Sequence, residues 1–312
     1  MVKLIVSLLF FLLSKGLYAQ EEPRSFLPDL FRDYPNVRDI AISPDGNEIY
    51  FTVDDIKSRI AVIAFITKKD DKWSQPKTVS FTGNYRDIEP AFSYTGNRLY
   101  FVSNRPVDEY SIEPKDYDIW YVDRIGSGWS IPKNMGTPVN TEADEYYPSI
   151  TKKGNIFFTA ARKDAIGRED IFVSRLKDGD YQEPVSIPGE VNTKYYEFNA
   201  FVSPDEEYII FSSQRPNEGL GGGDLYISYK IGDSWGKAEL VSKVNSPYLD
   251  FCPFVDSKTA RLYFTSQKTE VKKNYEKTLN LEDFLFLYRS GKPKGLNRLY
   301  SIDLKETIKI KK

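Results

Sequence analysis

An all-β fold, a β-propeller of five blades with four antiparallel strands apiece, is what this sequence predicts, on three observations. A turn-plus-strand phrase returns five times along the 312 residues at near-even spacing, which a single irregular domain has no reason to do. A third strand follows each time, and in four repeats so does a segment opening on a large aromatic residue. The composition includes 22 Tyr and 20 Phe, residues that strands accommodate better than helices.

The turns begin at Ser43, Ser93, Thr151, Ser203 and Asp256, at spacings of 50, 58, 52 and 53 residues. They read SPDG, SYTG, TKKG, SPDE and DSKT, and Asp, Gly and Pro supply the backbone angles of a tight hairpin. The strands after them read IYF (49–51), LYF (99–101), IFF (156–158), IIF (209–211) and LYF (262–264). Each turn is therefore the bend between an inner and a second strand. A third strand follows at RIAVIAF (59–65), DIWYVDR (118–124), DIFVSRL (170–176), DLYISYK (224–230) and RLYSIDL (298–304). The fourth segment starts at Trp73, Trp129, Tyr181 or Trp235 and in the first three blades reaches a proline three residues on. Proline removes a ladder donor, so this segment is expected outermost. Blades then begin near residues 37, 87, 145, 197 and 250. Such a meander cannot bury both faces alone, and radial stacking solves that.

The last repeat has no outer strand of its own. The segment EPRSFLPDLFRDYPN (22–36) is expected to supply it, closing the ring by pairing the two ends of the chain. Between the second and third strands of blade 5 lies the longest insertion, 269–297. There Leu281, Phe284, Leu285 and Tyr288 follow helical spacing, with Asn280 as an N-cap and Gly291 as a stop.

Residues 1–19 have the layout of a secretory signal peptide: Lys3, an apolar run from Leu4 to Leu13, then small and polar residues ending in Ala19. The run is too short for a membrane span, and no later segment is as apolar. The expectation is an exported chain, 20–312, forming one propeller domain in the periplasm or cell envelope. The single cysteine, Cys252, permits no intramolecular disulfide and reads as a small buried hydrophobe. A net charge of −2 with both signs dispersed points to neither nucleic acid nor an acidic membrane surface.

The repeats resemble the WD40-like repeats of the TolB type, often called PD40 and known by the SPDG-plus-strand phrase. The resemblance spans about residues 37–305. It is strongest to the variety found in Bacteroidetes envelope proteins, through DEYYP (144–148), GLGGGDLY (219–226), WSIP, and VN at 139, 191 and 244. It implies a non-catalytic scaffold that recognises proteins or peptides.

Two columns of charge are expected to ring one mouth of the channel. Asp87, Glu145, Glu197 and Asp250 stand six residues before their turns, with Val37 in blade 1. Arg105, Arg162, Arg215 and Lys268 stand four residues after the last Phe of the second strand, with Asp55 in blade 1. The third strands open at the same end with Asp118, Asp170 and Asp224, but with Arg59 and Arg298 in blades 1 and 5. Blade 1 swaps both signs, as paired side chains would require; blade 5 does not compensate. The columns read as structural ion pairs or, alternatively, as a binding ring for an envelope protein or peptide.

No histidine occurs, which removes the usual general base, a Ser-His-Asp triad and the commonest zinc ligand. No cofactor or metal motif is present, and GGGD runs into a strand rather than opening a helix as a phosphate loop would. The glycines are expected to allow close backbone approach. Paired carboxylates could still hydrolyse or bind a carbohydrate, or hold Ca²⁺, if three or more converged with no Arg or Lys between them. A recognition propeller and a carbohydrate-active one are thus the two readings, and the neighbouring bases argue against a general acid in these columns.

Overall fold

The computed structural model describes residues 21–108, 110–289 and 294–308; the expected signal peptide and Gly291 lie outside the described residues. Five antiparallel sheets stand round an axis. Blade 1 comprises Asn36–Ile42, Glu48–Asp54, Ala61–Lys69 and an outer strand in two pieces, Lys72–Trp73 and Lys77–Thr78. Blade 2 repeats this with Asp87–Phe92, Arg98–Ser103, Asp118–Ile125, Gly128–Trp129 and Lys133–Asn134. Blade 3 has Glu145–Ile150, Ile156–Ala160, Asp170–Ser174 and Val185–Ser186. Blade 4 has Tyr196–Val202, Tyr208–Gln214, Asp224–Ile231, Ser234–Trp235 and Glu239–Leu240. In the first three blades proline falls at the break and cannot donate to the ladder; in blade 4 the break recurs with Ala238 in its place. In blades 1, 2 and 4 the tryptophan before the break lies under a cation of the third strand: Lys68 over Trp73 at 5.9 Å, Arg124 over Trp129 at 4.0 Å and Lys230 over Trp235 at 4.6 Å.

Blade 5 consists of Asp250–Asp256, Arg261–Ser266 and Arg298–Asp303, and its fourth strand is Arg24–Ser25 from the start of the described chain. Arg24 faces Ser301, Ser25 faces Tyr300, and the Phe26 N–H donates to the Leu299 carbonyl at 2.8 Å. The chain then turns into a short helix, Pro28–Phe31, which drives Phe31 into the core. Ring closure is as expected, but the closing strand ends before Phe26 and Pro28 instead of running through them. The blade 5 insertion forms the helix Leu281–Arg289, capped reciprocally: Asp283 N–H donates to Asn280 Oδ1, and Asn280 N–H to Asp283 Oδ2.

The core lies between blades, one apolar cluster for each neighbouring pair. The three-residue strand phrase divides itself between two of them: Ile49 and Phe51 pack toward blade 5 and Tyr50 toward blade 2. Leu99 and Phe101 face back to blade 1 and Tyr100 forward to blade 3, and the alternation continues round the ring. A period of two makes each second strand serve both its faces. Among the described residues, no helix is long and apolar enough to cross a membrane.

Candidate functional site

The inner strands share one irregularity. At Asp39, Glu89, Tyr147, Asn199 and Cys252 the backbone enters the left-handed region, with φ between 49° and 58°, and the pairing register shifts by a residue. These are β-bulges, one per blade, and they bring Asp39, Glu89, Tyr147 and Cys252 together at the axis. The bulged N–H groups find hydroxyl acceptors on the preceding blade: Glu89 on Thr52 at 3.0 Å, Asn199 on Thr159 at 3.0 Å, Asp39 on Thr265 at 3.4 Å. Where the corresponding position is Val102, the Tyr147 N–H donates to the Glu89 carboxylate instead, at 2.7 Å.

At the axis Arg38 is buried among three carboxylates. It lies 2.8 Å from Asp39, 3.4 Å from Glu89 and 3.6 Å from Asp54, and Arg86 reaches Asp54 from outside at 2.6 Å. The Cys252 thiol donates to Asp39 at 2.8 Å, so the residue is buried as expected but is also a polar partner. Burial, together with Asp39, pushes the Glu89 carboxyl up to about 7 against the pull of Arg38 and the Tyr147 N–H. Three carboxylates do converge, but round a guanidinium. Among the described residues no group of Asp, Glu or Cys side chains is placed to hold a metal ion.

The mouth at the hairpin-turn end of the channel opens into a cup of about 330 Å³. All five blades line it, with Ile42, Phe92, Tyr94, Phe201 and Phe254 in the walls and Glu89 and Tyr147 at the floor. Sequence reasoning missed it. The one signal is that Ile40, Pro90, Pro148, Ala200 and Pro253, each following a bulge, are apolar in every repeat.

The charge columns lie at the other mouth. Asp87, Glu145, Glu197 and Asp250 have no or almost no exposed surface and brace the loops entering their own strands. Glu145 accepts from Thr141 Oγ1 at 2.6 Å and Thr141 N at 3.1 Å, and Glu197 takes the same two bonds from Thr193. Asp250 is held by Ser246, and Asp87 by Thr82. Burial raises Glu145 to about 7, the Thr141 bonds opposing it. Of the bases, Arg105 pairs with Asp87 at 2.6 Å and Arg215 with Glu197 at 3.5 Å. Arg162 turns instead to Glu183 and Asp164, and Lys268 is exposed. Asp118 takes Lys115 and Asn134; Asp170 and Asp224 take backbone N–H groups of the loops before them. In blade 1 Asp55 and Arg59 pair at 3.0 Å. Arg298, uncompensated in the sequence, donates to the carbonyls of Tyr34 and Pro35 and so fastens the closing segment.

The VN dipeptides also acquire a role. Asn140, Asn192 and Asn245 each use the side-chain amide as a strand would, accepting an N–H and donating to the C=O of Ile119, Ile171 and Leu225. In GLGGGD, a Cβ on Gly221 would lie 1.9 Å from the Tyr248 carbonyl, the close backbone approach expected. Gly223 abuts the Leu249 side chain and Gly222 has open space.

No protein-family model matches the chain, and no curated protein does. Among solved structures it is similar to a protein assigned as a TolB of Agrobacterium tumefaciens, at 15% identity and a TM-score of 0.50, covering 87% of this chain and 78% of that one. It is also similar to TolB of Acinetobacter baumannii (12%, TM-score 0.49, covering 74% and 49%). An α-L-arabinofuranosidase of Lactobacillus brevis follows (14%, TM-score 0.47, covering 86% and 93%). At these identities the likeness is one of fold, that of a TolB-type β-propeller.

Proposed function

We propose that the protein is an exported, non-catalytic recognition propeller of the cell envelope that docks a protein on the face formed by its second-to-third-strand loops. The observation that carries this is the apolar surface those loops leave in water. Every blade contributes: Ile56 and Ile60, Tyr110 and Ile112, Ile166, Leu220, and Leu281 with Phe286 are all more than half exposed. Loops on a rigid scaffold are where binding is commonly placed, and exposed apolar groups clustered on one face mark association surfaces. Beneath them the buried acids hold the loop bases, Asp87 and Glu197 through ion pairs and Glu145 and Asp250 through Thr141 and Ser246, so they support the face from below.

Crosslinking in envelope extracts tests the reading, with the intact chain beside Ile112→Glu, Leu281→Glu and Phe286→Glu. One partner, lost in these variants at unchanged melting temperature, is expected. Identical capture by all four proteins would refute the docking face, and selective retention of glycans in its place would favour the carbohydrate reading. Intact-mass measurement of the exported chain should find a start at or near Gln20.

A further inference from the structure

The cup at the opposite mouth uses none of those loops, and its chemistry is different. We propose that it is a binding site for a small organic cation, an ammonium group on an apolar body, with Glu89 as the counter-ion. Glu89 is nine-tenths buried or more, yet it is among the residues that line the cup. The group nearest to neutralising it, Arg38, is 3.4 Å away and is shared with Asp39 and Asp54. Round the axis two guanidiniums, Arg38 and Arg86, face three carboxylates, so ionised Glu89 leaves one negative charge unmatched. A buried carboxylate without its own cation is costly, and an arriving ammonium would remove that cost.

The walls suit the rest of such a ligand. Phe92, Tyr94, Phe201 and Phe254 line them with Tyr147 at the floor, and aromatic rings are a common means of holding organic cations. Pro90, Pro148 and Pro253 take three backbone N–H donors out of the floor row, which disfavours an anion. Neither rim lysine pairs with Glu89: Lys152 stands 3.7 Å from Asp205 with its ammonium 5.8 Å from the centre of the Tyr94 ring, where a ligand cation would have to displace it, and Lys258 is exposed beside Asp45.

Occupancy should depend on pH. Glu89 is faced by Arg38 and Asp39 of blade 1, by Tyr146 and Tyr147 of blade 3 and by Cys252 of blade 5. With its carboxyl near 7, the ionised form that attracts a cation predominates at pH 8 and is scarce at pH 6.

Calorimetric titration of the whole protein with 2-phenylethylamine and its uncharged counterpart 2-phenylethanol tests the site. At pH 8 the amine should bind at least about ten-fold tighter, and the preference should shrink about ten-fold at pH 6. Glu89→Gln, which keeps an acceptor for the Tyr147 N–H, should abolish the preference, with a melt verifying the fold. Tyr94→Ala on the wall should weaken both probes, and Leu281→Glu on the other face neither. Equal binding of the two probes, a preference that survives Glu89→Gln, or no heat with either at about 10 mM would overturn the proposal. Tighter binding of an end-blocked Phe-Lys-Phe peptide than of the amine would overturn the assignment to a small molecule.

Discussion

At the scale of single residues, the buried carboxylates make stability depend on pH in an unusual direction. Glu89 and Glu145 are both raised to about 7, chiefly by burial, from an ordinary glutamate value. The folded state therefore holds more protons than the unfolded chain between roughly pH 4.5 and 7, and its stability falls as pH rises through that window. Melting temperature should be higher at pH 5 than at pH 8. Glu89→Gln should flatten part of that slope, by on the order of 1 to 3 kcal/mol at pH 8; a slope unchanged by the substitution would remove Glu89 as its source. Arg215 acts through its contacts. Its guanidinium pairs with buried Glu197, donates to the Val191 carbonyl and stacks over Tyr226, so Arg215→Ala strands a carboxylate and should cost about 2 to 4 kcal/mol by denaturant titration. Asp55 shows the limit of arguing by charge alone. Besides its ion pair, it accepts the Arg59 and Ile60 N–H groups, and these bonds outweigh burial to hold its carboxyl below the usual range. Exchanging Asp55 and Arg59 restores the pair but not those caps, so the exchange variant should melt close to Asp55→Arg and below the parent.

At the scale of elements, the loops between blades are fastened by side chains that imitate backbone. Asn192 completes the pairing of Ile171 where the outer strand has already ended, and Thr82 makes a comparable bond to the Ile63 N–H in blade 1, where no VN occurs. Asn192→Ala leaves the Ile171 N–H buried and unpaired, an expected loss of about 1 to 3 kcal/mol, whereas Asn192→Asp keeps the acceptor and should lose less. Hydrogen exchange at Ile171 reads this directly. The VN spacing was plain in the sequence; its role was not, because a side chain's partner 21 residues away becomes visible only when the blade is folded.

For the whole molecule, closure is the decisive contact. Phe31 is 2% exposed in the cluster joining blades 5 and 1, and its ring meets Phe51 edge-on at 4.9 Å. Phe31→Ala should cost about 3 to 5 kcal/mol, and deletion of residues 22–35 should destabilise the entire ring, since it also removes the outer strand of blade 5 and exposes an unpaired edge. Cooperative melting that is unaltered by the deletion would show that the ring holds without the seam.

Blade number, strand order and closure were legible because repetition overdetermines them: five copies of IYF-like strands with alternating faces admit few arrangements besides a ring. The short helix of blade 5 was legible for the same local reason, its cap and spacing being contained in ten residues. The bulges were not, since Asp39, Glu89, Tyr147, Asn199 and Cys252 have no side-chain chemistry in common; what they share is a backbone conformation imposed by converging strands. Nor was the cup, whose lining comes three to six residues at a time from five blades some 50 residues apart. Its floor charge depends on how many carboxylates one arginine must serve, and that count exists only once Arg38, Asp54 and Glu89 have been brought to the axis.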